Sequence, residues 1–257
     1  MTDRGAFSNW GVRVYGAAAI LLGVIGLKAG DFAAVWQPVP PEVAHRGALA
    51  YFAAVLFLCA GLAVQWQRAR AVGVFALGVL YLPYALLWFR RVLAFPGMIG
   101  TWSGTGEQVA LVTAGVLAYH QLGGSGKPGT RGMALVCRMF FALSFLSLAL
   151  VHWISLQETA SFVPKWMPLG QKFWAIATGV FHFMAAVAIG SGACGKLAAR
   201  LLAAMIAVFG LFIWLPALLA SPRDHFVWCA NAVNLALLGA AWVVADWFAS
   251  NPAEEQM

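Results

Sequence analysis

Charged side chains are scarce in this chain: Asp, Glu, Lys and Arg together make up 10% of its 257 residues, and only nine of them are acids. A soluble domain of that length carries far more charge on its surface, so the soluble classes fall away. The sixteen Lys and Arg leave a net charge of +7. They punctuate apolar runs and form no continuous stripe, which argues against nucleic acid as a partner. Cysteine is thin as well. Cys59, Cys137, Cys194 and Cys229 are isolated from one another and no CxxC pair exists, so nothing suggests a dithiol relay. Also missing are HExxH, any Ser-His-Asp signature and any metal-ligand spacing. The Gly-rich stretch 123–129 lacks the GxxxxGK spacing of a phosphate loop.

What is present is apolar. The chain is 62% hydrophobic, with a mean hydropathy of +0.82. Eight apolar stretches, at 10–27, 46–65, 70–89, 106–122, 134–155, 171–191, 197–219 and 226–248, approach the ~20 residues that a spanning helix needs. Membrane lipid is therefore the expected solvent. The first stretch follows Asp3 and Arg4 and lacks a small-residue cleavage site, so it reads as a retained helix.

The stretches fall into two blocks. Residues 13–63 overlay 138–188 without a gap at a shift of 125, pairing Arg13 with Arg138 and Ala60 with Ala185. In each block a long Pro- and Trp-containing loop follows the first helix and a basic turn follows the second. Tyr81-Leu82-Pro83 and Trp214-Leu215-Pro216 read as a shared phrase closing the third helix. The expected fold is an all-α membrane protein of eight transmembrane helices, arranged as two parallel-repeat four-helix bundles. The expected units are 1–122 and 134–257, joined by a Gly-rich linker at 123–133. Arg4, Arg13, Arg68, Arg70, Lys127, Arg131, Arg138, Lys196 and Arg200 share one side, which predicts both termini in the cytoplasm.

Polar residues within spans are costly and face the bundle interior. His182 lies about eleven residues into the sixth stretch, roughly 16 Å deep, where the first block has Phe57. His152 stands near the outer end of the fifth stretch. Asn231 and Asn234, three residues apart on the eighth, share a face. Together these four suggest a polar pocket rimmed by Trp153, Trp174 and Trp214. The alternative is that each makes one interhelical hydrogen bond and specifies packing. Haem ligation by both histidines is disfavoured, because their depths differ by roughly two helical turns.

Glu107 stands at the start of the fourth stretch, where either the helix dipole or a gating role accounts for it. The loop Val163-Pro164-Lys165-Trp166-Met167-Pro168 brackets a lysine and a tryptophan with prolines. It reads as a fixed lid over the pocket or as a rigid connector. Twelve tryptophans near predicted helix ends suit an interfacial belt.

The lid loop, Thr178-Gly179, His182, the basic turn from Lys196 to Arg200 and Leu215-Pro216 resemble the DoxX-like family of bacterial membrane proteins, clearly over 135–248 and faintly over 10–122. Its pattern is V-P-x-W-x-P, then T-G and an acidic residue; here His182 stands where relatives often carry a glutamate. The resemblance implies a four-helix unit in the bacterial inner membrane, associated with thiosulfate:quinone oxidoreduction or redox homeostasis. It thus implies quinone as a candidate ligand and a membrane redox subunit as a candidate partner. Three readings stay open: a quinone- or amphipath-binding redox accessory, a structural partner subunit, and a small-molecule transporter.

Overall fold

The computed structural model describes residues 9–123 and 130–255, and within them all regular structure is helical. In chain order the helices are α1 (Trp10–Ala29), α2 (Arg46–Gln65), α3 (Arg70–Ala94), α4 (Ile99–Gly123), α5 (Thr130–Ile154), α6 (Leu156–Phe162), α7 (Gln171–Ser191), α8 (Gly195–Phe209), α9 (Leu215–Ala220) and α10 (His225–Ser250). A π-helical turn, Gly210–Trp214, joins α8 to α9. Seven of these spans are long and apolar enough to cross a membrane, α8 through α9 counting as one, so the chain is a multi-pass membrane protein.

The exception by composition is α4, which is 25 residues long but carries Thr101, Ser103, Thr105, Glu107 and Gln108 in its first half. It begins seven residues earlier than the apolar stretch suggested. Its hydroxyls explain why the turn is stable: Thr101 donates to Met98 O (2.8 Å), Ser103 to Gly100 O (3.1 Å) and Thr105 to Thr101 O (2.8 Å). These three hydroxyls are thereby satisfied within the helix or the turn that opens it, as a dry environment demands. Because α4 is wrapped by α3, α5 and α10, it needs no apolar exterior. Glu107 is consequently two turns inside the helix rather than at its start, beyond the reach of the terminal dipole.

Helix ends follow local chemistry. Gly30 and Gly192 take left-handed conformations and close α1 and α7, and the Asp224 carboxylate accepts from Phe226 N (2.8 Å) to cap α10. A second device recurs at one end of the molecule. The indoles of Trp102, Trp174 and Trp228 each donate to the carbonyl of a proline six residues earlier, Pro96 (2.9 Å), Pro168 (2.7 Å) and Pro222 (2.9 Å). This tethers the starts of α4, α7 and α10 in the same way.

The first four helices pack together, as do α5, α7, α8–α9 and α10. The halves interlock because α10 lies against α1 and α4, and α4 against α5. At the α1–α10 seam a Cβ on Gly239 would lie 2.4 Å from the Tyr15 nitrogen, so only glycine allows the backbones to meet. Tyr15 then donates to Leu111 O of α4 at 2.8 Å.

Two expectations need correction. The linker is shorter than 123–133: Gly123 closes α4 and Thr130 opens α5, while 124–129 lie outside the described residues. The phrases ending in Pro83 and Pro216 do not correspond either. Pro83 is the fourteenth residue of α3, whereas Pro216 is the twenty-second of the span 195–220. Similar tripeptides matched because both are aromatic and apolar, although they sit two turns apart in depth.

Replacing Gly239 with Leu should push α10 off α1, costing about 3 kcal/mol and lowering the unfolding midpoint by roughly 5 °C or more. Gly47→Leu, at a site with nothing within 4 Å of a Cβ, should leave the midpoint nearly unchanged in the same thermal-shift measurement.

Candidate functional site

A cavity of about 530 Å³ opens among α4, α5, α7, the π-turn and α10. Its walls come from the carboxyl halves of α5 and α8 and the amino halves of α4, α7 and α10. Such pieces meet at one end only when successive helices alternate in direction. The lining is mostly apolar, with Phe145, Leu148, Phe181, Met205, Ile206 and Phe209 prominent.

The polar points come from both halves of the chain. His182 is 3% exposed yet lines the cavity. Its Nδ1 is buried without a hydrogen-bond partner. Its ring lies against His152 at 4.9 Å between centroids and over Phe145 at 5.8 Å. His152 Nδ1 is 2.7 Å from Leu148 O, which turns the imidazole inward. The two histidines therefore sit at one depth, not two turns apart. The reason is that α5 stops at Ile154 and α6 with its loop fills the layer above it. Rings in direct contact leave no space for a porphyrin between them, and among the described residues no group of three or more His, Cys, Asp or Glu is arranged to hold a metal.

Close approach of α5 and α7 makes this contact possible. A Cβ on Gly179 would fall 2.5 Å from Trp153 Nε1 and 2.9 Å from His152 Cβ. Trp153 itself points away from the cavity, packing on Phe183 at 5.9 Å. Consecutive helical residues diverge by about 100°, so with His152 facing inward its neighbour cannot.

The asparagines divide between two tasks. Asn234 lines the cavity and donates to Ile206 O (3.1 Å). Asn231 does not line it; its amide donates to Trp214 O and Val227 O, both at 2.9 Å. Between them the two amides tie α10 to a carbonyl ahead of the π-turn and to that of its last residue. That turn carries an i→i+5 bond from Leu215 N to Gly210 O, and it precedes Pro216, which has no N–H to give. π-Turns recur at functional sites. Here the turn carries Phe212, Ile213 and Trp214 into the cavity wall.

The proline loop forms part of the cavity wall. Val163, Pro164, Trp166 and Met167 line the cavity, as do Trp174 and Trp214. Pro168 does not; its carbonyl is engaged by Trp174. Gln171 Nε2 donates to Val163 O at 2.6 Å, which holds the loop in place. Aromatic pairs bridge loop and opposite wall, Phe162 with Trp214 and Trp166 with Phe212, each at 5.8 Å.

The first half also contributes, through Glu107, the gating candidate of the sequence, and through Trp36 and Ser103, which the sequence did not suggest. Glu107 faces the cavity, as do Trp36 from the α1–α2 loop and Ser103 one turn back along the helix. Trp36 is held because Arg46 pairs with Asp31, because Gln37 accepts from Ala33 N (2.7 Å), and because its ring lies tilted against Phe226 at 5.3 Å. Trp36, Ser103, Met205 and Phe209 were all missed as site residues. No linear signal joins them, since they meet only through the α4–α5 and α4–α10 contacts.

No protein-family model, curated protein or solved structure matches this chain. The arrangement is therefore judged on its chemistry: two imidazoles in tilted contact, an amide and a carboxylate in an otherwise apolar chamber can hydrogen-bond a small polar head while the walls enclose apolar atoms.

Asn231→Ala should weaken the α8–α10 contact by about 1 kcal/mol, lowering the unfolding midpoint in a denaturant titration. Because Asn231 lies outside the cavity, the set of small molecules retained on purification should stay the same.

Proposed function

We propose that this is a bacterial inner-membrane protein of the DoxX-like kind, built from two fused four-helix units with eight spans and cytoplasmic termini. Its second unit binds a quinone or similar small amphipath, as an accessory to membrane redox chemistry. The observation that carries the reading is the cavity itself: buried His182, with an unpartnered Nδ1, inside an apolar chamber of about 530 Å³. A polar-headed, apolar-tailed molecule satisfies both parts.

Helix boundaries support the fused-repeat reading. The ends of α1 and α5, the starts of α2 and α7, and the starts of α3 and α8 are all separated by 125 residues, whereas the starts of α4 and α10 are separated by 126. The extra residue falls in the third span of the second unit, where the π-turn absorbs one residue more than an α-turn would.

The comparison also explains why only one unit would hold a ligand. At the position matching His182 the first unit has Phe57, 1% exposed, with Tyr81 and Tyr84 packed on it at 5.0 and 6.2 Å. That unit is plugged by aromatic rings. The Pro164–Trp166 segment then acts as the lid of the open unit, and Glu107 as a carboxylate lent by the plugged one.

Mass spectrometry of lipophilic molecules retained by the purified protein tests this. Wild type should carry a quinone or comparable amphipath, and His182→Phe should fold yet lose it. An empty wild-type protein that co-purifies with another membrane protein would instead favour a structural subunit. Reporter fusions after Gly126 and after Met257 should both read cytoplasmic; a periplasmic signal at either overturns the orientation or the span count.

A further inference from the structure

A second, smaller cavity of about 410 Å³ runs along the seam between α7 and α8, lined by residues such as Ala185, Ala188, Leu197, Ala198 and Leu201. It adjoins the first, with Phe181 and Met205 lining both. It extends towards Cys194 in the α7–α8 turn, at the opposite end of the molecule from the lid. From Met205 to Leu197 it follows about 12 Å of α8, and apart from Cys194 its lining side chains are hydrocarbon or thioether.

The seam is open for a specific reason. At the matching place in the first unit Gly73 of α3 rests on α2, where a Cβ would come within 2.7 Å of Val64 N and 2.9 Å of Ala60 O. Shifted by 125, Gly73 becomes Ala198 and Ala60 becomes Ala185, and both line the groove. The methyl group on Ala198 therefore prevents α8 from settling onto α7 as α3 settles onto α2. Only 17% of the apolar stretch of span 195–220 is buried, against 44% for α3.

We propose that this groove is the tail channel of the ligand site: the occupant is a single-chain amphipath whose head sits beside His182 and whose tail runs down the α7–α8 seam, which opens sideways to lipid and admits the molecule from the bilayer. The proposal rests on the ligand-binding reading above. Within a membrane a tail gains little by leaving lipid, so the groove acts sterically, by letting a tailed molecule seat its head.

The test uses the intact purified protein and two probes, duroquinone, which has no tail, and decylubiquinone, which has one, with binding read by quenching of intrinsic tryptophan fluorescence. Wild type should bind both. Ala198→Phe fills the groove and should weaken decylubiquinone by about tenfold or more, leaving duroquinone within about twofold; His182→Phe should weaken both. If Ala198→Phe fails to fold, Ala188→Leu fills the facing wall and should show the same selective loss. Unchanged decylubiquinone binding in a folded groove variant, or equal loss of both probes, overturns the tail channel while the head site stands. If wild type binds neither probe, the ligand-binding reading falls and the channel with it.

Discussion

The backbone contact between α10 and α1 is the constraint from which the other packing follows. Lipid tails are as apolar as the helices, so burial alone does not draw helices together, and close approach must supply the attraction. Gly239 provides it by letting α10 touch the Tyr15 backbone. With that seam closed, 67% of the apolar stretch of α10 is buried. The helix becomes a post on which α4 and α8 are mounted, and the cavity is the space left on its far side.

Polar groups within the bundle follow one rule with informative exceptions. Thr and Ser hydroxyls return to carbonyls on their own helices, and three indoles reach proline carbonyls. Asn231 and Asn234 supply amides to the α8 span around its π-turn. These bonds satisfy most of the polar side chains that the spans carry, although Tyr81 Oη, Trp88 Nε1 and Trp247 Nε1 are buried without a partner. His182 Nδ1 differs from the other buried atoms without a partner in that it lines the cavity, where the packing is hollow. A local rule broken in a roomy place is the expected mark of a functional site.

The two halves of the bundle solve the same packing problem in opposite ways. One fills its centre with Phe57, Tyr81 and Tyr84 and closes its α2–α3 seam on Gly73. The other puts His182 at the centre and a methyl group at Ala198, and stays open. The filled half nonetheless serves the hollow one, since α4 brings Glu107 to the cavity and the α1–α2 loop brings Trp36.

The all-helical, membrane-spanning character and the extent of seven spans were largely legible in the linear pattern, because an apolar run of spanning length has few other ways to bury itself. Seven of the observed spans coincide with expected stretches within a few residues, and only α4 hid its first two turns behind Gly, Ser and Thr. Local spacing also singled out His152, His182, Asn234 and the proline loop, since a polar group in a span stands out against its neighbours. Which way each side chain points was not legible. Trp153 faces away because its neighbour His152 faces in, and Asn231 is consumed by a π-turn that no local propensity announces. Direct contact of the two histidines, the loan of Glu107 and Trp36 from the other half, and the open α7–α8 seam depend on how helices distant in sequence meet. Those meetings are set by backbone approach at Gly239, Gly179 and Gly73, and only the tertiary structure decides which surfaces those glycines touch.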